Sequence, residues 1–262
     1  MSHEVKPMRS HADAETSTVV NGSHSPNGHH DYNSGHGGSV ARFITPGGNP
    51  IDNTQPAFPV YHRRFANPSP LGLMGFATTT FVLSMYNVSA RGVSTPNVVL
   101  GLAIGYGGLV QLLAGMWEFA VGNTFGATAF SSYGGFWISF GFLYIPQFQI
   151  VEAYEGTGNF ADAVGIYLAA WFIVTFIFFV ASLRSSIALS SLFFFLDITF
   201  LLLFVAEFTG SGSVHTAGGA FGIITAFIAY YIALAGMLTK DTSHFTLPIG
   251  DLSRASTPKS SQ

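Results

Sequence analysis

Cysteine is absent from this 262-residue chain, and charge is scarce, with only 9% of residues Asp, Glu, Lys or Arg. The missing thiol excludes disulfides and thiolate catalysis. The missing charge excludes an ordinary soluble domain, in which about 25% of residues are charged. A soluble protein this poor in charge would expose large apolar patches and aggregate. Ten Lys and Arg stand against 13 Asp and Glu, a net charge of −3, so there is no basic footprint for nucleic acid. Gly-x-Ser-x-Gly, His-Glu-x-x-His and a phosphate loop are all missing, which argues against catalysis. The first 60 residues hold no contiguous apolar run, so no cleavable signal peptide is expected and the first span would act as the insertion signal.

What is present is apolar bulk and small residues: 48% hydrophobic, 26 Phe, 30 Gly, and a mean hydropathy of +0.41. These point to an all-α membrane protein. Residues 1–60 read as a disordered cytoplasmic tail, since a Ser-, Gly-, Asn- and His-rich segment buries too little to offset its ordering entropy. His24, His29, His30 and His36 lie in it at irregular spacing, which favours a solvated tail over a metal site. Residues 61–240 read as the membrane domain and 241–262 as a short cytoplasmic tail.

A span needs about 20 apolar residues. Six stretches qualify, at about 70–90, 97–119, 126–146, 163–183, 187–207 and 215–238. Arg91-Gly92, Gly122-Asn123-Thr124, Arg184-Ser185-Ser186 and Gly210-Ser211-Gly212-Ser213 mark turns between them. With the N-terminus in the cytoplasm, the inside segments hold Arg63, Arg64, Arg184, Lys240 and Arg254. The outside loops hold Arg91 and the acidic Glu152, Glu155 and Asp162, so both termini are expected inside. Gly101-x-x-x-Gly105 and Gly218-x-x-x-Gly222 match a close-packing pattern of membrane helices.

Ionisable groups inside a membrane are costly and become functional candidates. Glu118 closes the second span and is a carboxylate that binds or relays a proton, or else an interfacial group. Asp197 sits mid-span in the fifth, too short to snorkel, and is a second proton or charge candidate. Glu207 and His215 flank the last turn and read as interfacial. Thr78, Thr79 and Thr80, Gln111, and Ser131, Ser132 and Tyr133 supply hydroxyls and an amide within the spans. Such a lining suits a small, weakly charged solute better than a highly charged anion, and aromatics can narrow it to a dewetting constriction. Nothing in the pattern asks for a cofactor or a metal.

The first span carries the stretch Asn67-Pro-Ser-Pro-Leu-Gly-Leu-Met-Gly-Phe76. Downstream follow Phe81-Val-Leu-Ser-Met-Tyr-Asn87, Tyr106-Gly-Gly-Leu-Val-Gln111, Ala114-Gly-Met-Trp-Glu118 and a run from Gly122 to Trp137. These motifs resemble the acetate uptake transporter family of bacterial succinate–acetate permeases and fungal acetate and ammonia-export membrane proteins. The likeness covers about residues 60–250, and the tail suggests a fungal member. The resemblance implies six helices per subunit, a ring-shaped homohexamer in the plasma membrane, and one path per subunit for acetate and other small carboxylates, coupled to protons. It implies an apolar constriction at Phe76, Tyr133 and Leu196. A carboxylate passing that ring would seek Asn67, Thr78, Thr79 or Gln111. The alternatives are an ammonium or ammonia exporter, and a membrane sensor of acetate signalling through the tail.

Overall fold

The protein is described here from a computed structural model, for residues 65–93, 95–241 and 243–252. The histidine-bearing tail, the His62–Arg64 cluster and Arg254 lie outside the described residues. Six long helices coincide with the six apolar stretches: α1 Ser69–Asn87, α2 Val99–Val121, α3 Thr124–Leu143, α4 Phe160–Ser182, α5 Ile187–Thr209 and α6 Gly212–Met237. By length and composition α2, α4, α5 and α6 are apolar enough to cross a membrane. The other two are diluted by small and hydroxyl residues, such as Thr78-Thr79-Thr80 on α1 and Ser131-Ser132 on α3.

Local chemistry sets the helix ends. Pro68 and Pro70 bracket the start of α1, where the Asn67 side chain accepts the Ser69 N–H at 3.1 Å. Gly122, at φ +82°, takes the left-handed turn that ends α2, and Asn123 then caps α3 by accepting the Gly126 N–H at 3.0 Å. The Ser186 side chain caps α5 by accepting the Leu189 N–H at 3.2 Å. The chain past α6 adds to that cap. The backbone N–H groups of Ile187 and Ala188 donate to the carbonyls of Gly250 and Ile249 at 2.7 and 3.0 Å. Tyr231 of α6 anchors this segment by donating to the Pro248 carbonyl at 2.6 Å. Orphan N–H groups at a helix start are thereby satisfied by distant residues.

α1 packs along α6, α6 along α5, and α5 along α4; α2 and α3 form a second pair against α1. Hydrogen bonds from Tyr133 to Thr175 and between Ser139 and Tyr167 join α3 to α4. One feature went unread in the sequence: α2 is interrupted by a π-helical turn at Gly105–Val110. A side chain at Gly75 would meet the Tyr106 carbonyl at 2.9 Å, and one at Gly107 would lie 2.7 Å from Thr79 Cβ. Glycine is required there because two backbones approach closely. Gly101 and Gly105, by contrast, face open space within the subunit.

Gly107→Ala drives a methyl group into Thr79 and is expected to destabilise the subunit by roughly 1–3 kcal/mol, the usual effect of overpacking. Gly212→Ala, at the start of α6, meets nothing and is expected to leave the melting temperature almost unchanged. Thermal melts of the two variants in detergent check the contrast.

Candidate functional site

Two cavities lie end to end among the helices. The larger has a volume of about 470 Å³, the smaller about 200 Å³. Phe76 of α1 and Leu196 of α5 border both, so the partition between them is made of these two side chains. Tyr133 of α3 borders the larger cavity, with its ring 5.6 Å from that of Phe76 in an edge-on arrangement. All three are buried.

The position of Tyr133 is over-determined. Its hydroxyl lies 2.8 Å from Thr175 Oγ1 on α4. The Thr175 hydroxyl donates to the Trp171 carbonyl at 2.7 Å, so Tyr133 donates to Thr175. The rings of Trp171, Phe178 and Phe193 surround it, with centroids 5.9, 5.8 and 6.3 Å away.

Gln111 is 1% exposed and lines the larger cavity, and its Oε1 has no hydrogen-bond partner. It follows directly on the π turn of α2, an irregularity often found at functional positions. Ser69, Asn123 and Arg184 line the same cavity, and Ile249 reaches it from the segment laid over α5. Arg184, counted in the sequence only for topology, thus stands at the rim with its side chain exposed.

The other candidates are placed differently. Asn67 lines neither cavity; its side chain is engaged at the start of α1. Thr78 faces α6, where it accepts a hydrogen bond from Tyr230 at 2.9 Å. Thr79 is fully buried against Gly107 and donates to the Gly75 carbonyl at 2.9 Å. The third threonine of the run, Thr80, lines the smaller cavity, and its hydroxyl has no partner. Trp137 lines that cavity too, with its indole N–H unpartnered. Both were legible in principle, because Thr80 stands four residues after Phe76 and Trp137 four after Tyr133, and so one turn along the same helix face.

Glu118 is 1% exposed and held from two sides. Ser69 donates to Oε1 and Asn123 Nδ2 donates to Oε2 at 2.7 Å, which ties the start of α1 to the α2–α3 turn. Asp197 borders neither cavity. It lies one turn from Phe193 and Phe194 and two from Phe204, whose rings meet Phe178, Phe179 and Phe172 of α4. Its Oδ1 is buried without a hydrogen-bond partner. Glu207 and His215 line the smaller cavity rather than lying only at an interface.

The profile of the GPR1/FUN34/yaaH family matches residues 51–254. Ammonia transport outward protein 2 of Saccharomyces cerevisiae is 53% identical over 194 residues, covering 72% of this chain and 69% of that protein. Acetate permease A of Emericella nidulans is 51% identical over 198 residues, covering 71% of this chain and 66% of that protein. The chain therefore spans about two thirds of the length of these fungal relatives. The solved structure of the bacterial acetate channel SatP superposes with a TM-score of 0.64 at 36% identity, over 71% of this chain and all of that one.

Asn123→Ala removes both the α3 cap and one donor to a buried carboxylate. The cap alone is worth about 1 kcal/mol, and a carboxylate missing a donor adds about 1–3 kcal/mol. Asn159 precedes α4 without a side-chain cap bond. Denaturation of the two alanine variants should therefore show a clear loss for Asn123→Ala and almost none for Asn159→Ala.

Proposed function

Because the chain belongs to the GPR1/FUN34/yaaH family, we propose that it carries acetate and related short-chain monocarboxylates across a membrane through its two cavities. The observation that carries this reading is the partition itself, a thin apolar wall of Phe76 and Leu196 with Tyr133 beside it, between two chambers that hold polar groups. A carboxylate crossing bare hydrocarbon meets a prohibitive desolvation cost. The few polar groups in each mainly apolar chamber, Gln111 and Arg184 in the larger and Ser84 and Asn87 in the smaller, offer a carboxylate partners on both sides of the partition, whose apolar layer tolerates a methyl group. Gln111 offers the amide on one side. Arg184 at the rim of the larger cavity draws anions toward it.

In this reading all six helices cross the plasma membrane with both termini in the cytoplasm. Arg184 and Lys240 then fall at the cytoplasmic end, and Arg91 with Glu152, Glu155 and Asp162 at the outer one. The vacant glycine face of α2 at Gly101 and Gly105 supports assembly of copies into a ring, a hexamer by family resemblance, with one path in each subunit.

Labelled acetate should enter liposomes containing the purified full-length protein faster than it enters empty ones. A pH gradient distinguishes proton-coupled from simple anion flux, and added ammonium tests the export reading suggested by the ammonia-transport relatives. Absence of protein-dependent acetate flux would overturn the proposal. Phe76→Ala thins the partition, so butyrate uptake should rise several-fold relative to acetate; an unaltered ratio removes Phe76 from the constriction.

A further inference from the structure

A strap of chain past α6 crosses the turn between α4 and α5. It runs antiparallel to residues 185–188, with Asp251 opposite Ser186. The N–H groups of Ile187 and Ala188 donate to the Gly250 and Ile249 carbonyls, and the Leu252 N–H donates to the Ser185 carbonyl at 3.0 Å. The Tyr231 hydroxyl holds the strap at Pro248. Gly250 is needed for the fit. Its φ is +70°, and a Cβ there would lie 2.9 Å from Ile187 Cβ.

Among the described residues of this strap none is buried, and Ile249 and Leu252 stay 38% and 41% exposed. A segment held by backbone bonds within reach of water, and by little buried apolar area, opens locally at low cost. It lies where opening has an effect. Ile249 lines the larger cavity together with Arg184, Ser185 and Ser186. Ser186 stands ten residues before Leu196, so this end of the cavity is roughly 15 Å along α5 from the Phe76–Leu196 partition. The larger cavity therefore has a firmly packed apolar wall at one end and a loosely held strap at the other.

We propose that residues 247–252 form a detachable gate over the larger cavity. Docked on the α4–α5 turn, the strap narrows the opening with Ile249. Released, it gives solute free access to the cavity. The effect on flux rests on the transport reading above, whereas access to the cavity is a property of the gate alone and is measured without transport.

The chain has no cysteine, so introduced thiols act alone. The bonds on either side of Ser186 and Asp251 make them a non-hydrogen-bonded antiparallel pair. Such a pair has Cα atoms about 4.5 Å apart, within the span of a disulfide. Full-length protein carrying Ser186→Cys and Asp251→Cys is placed in liposomes and oxidised. Uptake of labelled acetate should fall several-fold and recover on reduction, while the reductant leaves the wild type unchanged. Gly250→Ala should undock the strap and raise uptake several-fold. Access is read in detergent with Ala129→Cys, a position that lines the larger cavity and is 4% exposed. A water-soluble maleimide should label this thiol several-fold faster when Gly250→Ala is also present. Equal uptake by the oxidised and reduced pair, or a labelling rate indifferent to Gly250→Ala, would overturn the gate. So would a joint fall of uptake and melting temperature in Gly250→Ala, the mark of a merely structural brace. Absent wild-type uptake with faster labelling in Gly250→Ala would overturn the transport reading and support the gate.

Discussion

The close approach of α1 and α2 at Thr79 and Gly107 is the constraint on which the rest depends. A backbone-to-side-chain contact of this tightness holds the α2–α3 pair against α1 and sets the height at which the two helices meet. At that level α2 departs from regular winding in a π turn, and Gln111 emerges on the cavity immediately after it. On α1 the same contact uses up Thr79. The helix rotates by about 100° per residue, so Thr78 is left facing α6 and Thr80 the smaller cavity. One point of crowding thus decides which of three consecutive hydroxyls faces the path.

A second constraint works at the constriction. Tyr133 cannot swing freely, because its hydroxyl is committed to Thr175 and three rings crowd it. Phe76 leans on that fixed ring edge-on. The apolar layer is therefore held firmly on the α3–α4 side, and it keeps the two cavities apart.

Much of this was legible from composition and punctuation. Uncharged stretches between Arg91, Gly122-Asn123, Arg184 and Gly210 gave the six helices to within a few residues, because glycine and capping side chains end helices by local chemistry. Phe76 and Leu196, which the motifs single out, both border the two cavities. What stayed hidden depends on partners far apart in the chain. Glu118 reads as a lone acid until Ser69 and Asn123 are seen on its two oxygens. Asn67 differs for a local reason: its oxygen accepts from the Ser69 N–H two residues on, and the residue lines neither cavity. The π turn is invisible because Gly105-Tyr106-Gly107-Gly108 carries the same composition as ordinary close packing. Arg184 reads in the sequence only as a topology signal, since its place beside a cavity depends on where α4 and α5 meet α1 and α3.

The segment laid across the start of α5 has a wider consequence. Its carbonyls stand in for a helical turn that α5 does not have, and Ile249 of the same segment borders the larger cavity. This segment is therefore at once a splint for a helix and part of a cavity wall. Anything that tugs on the chain beyond it, whether an appended tag, a bound protein or a modified side chain, acts mechanically on both. The width of the mouth and the integrity of a helix that carries Leu196 are thus joined through a handful of backbone hydrogen bonds.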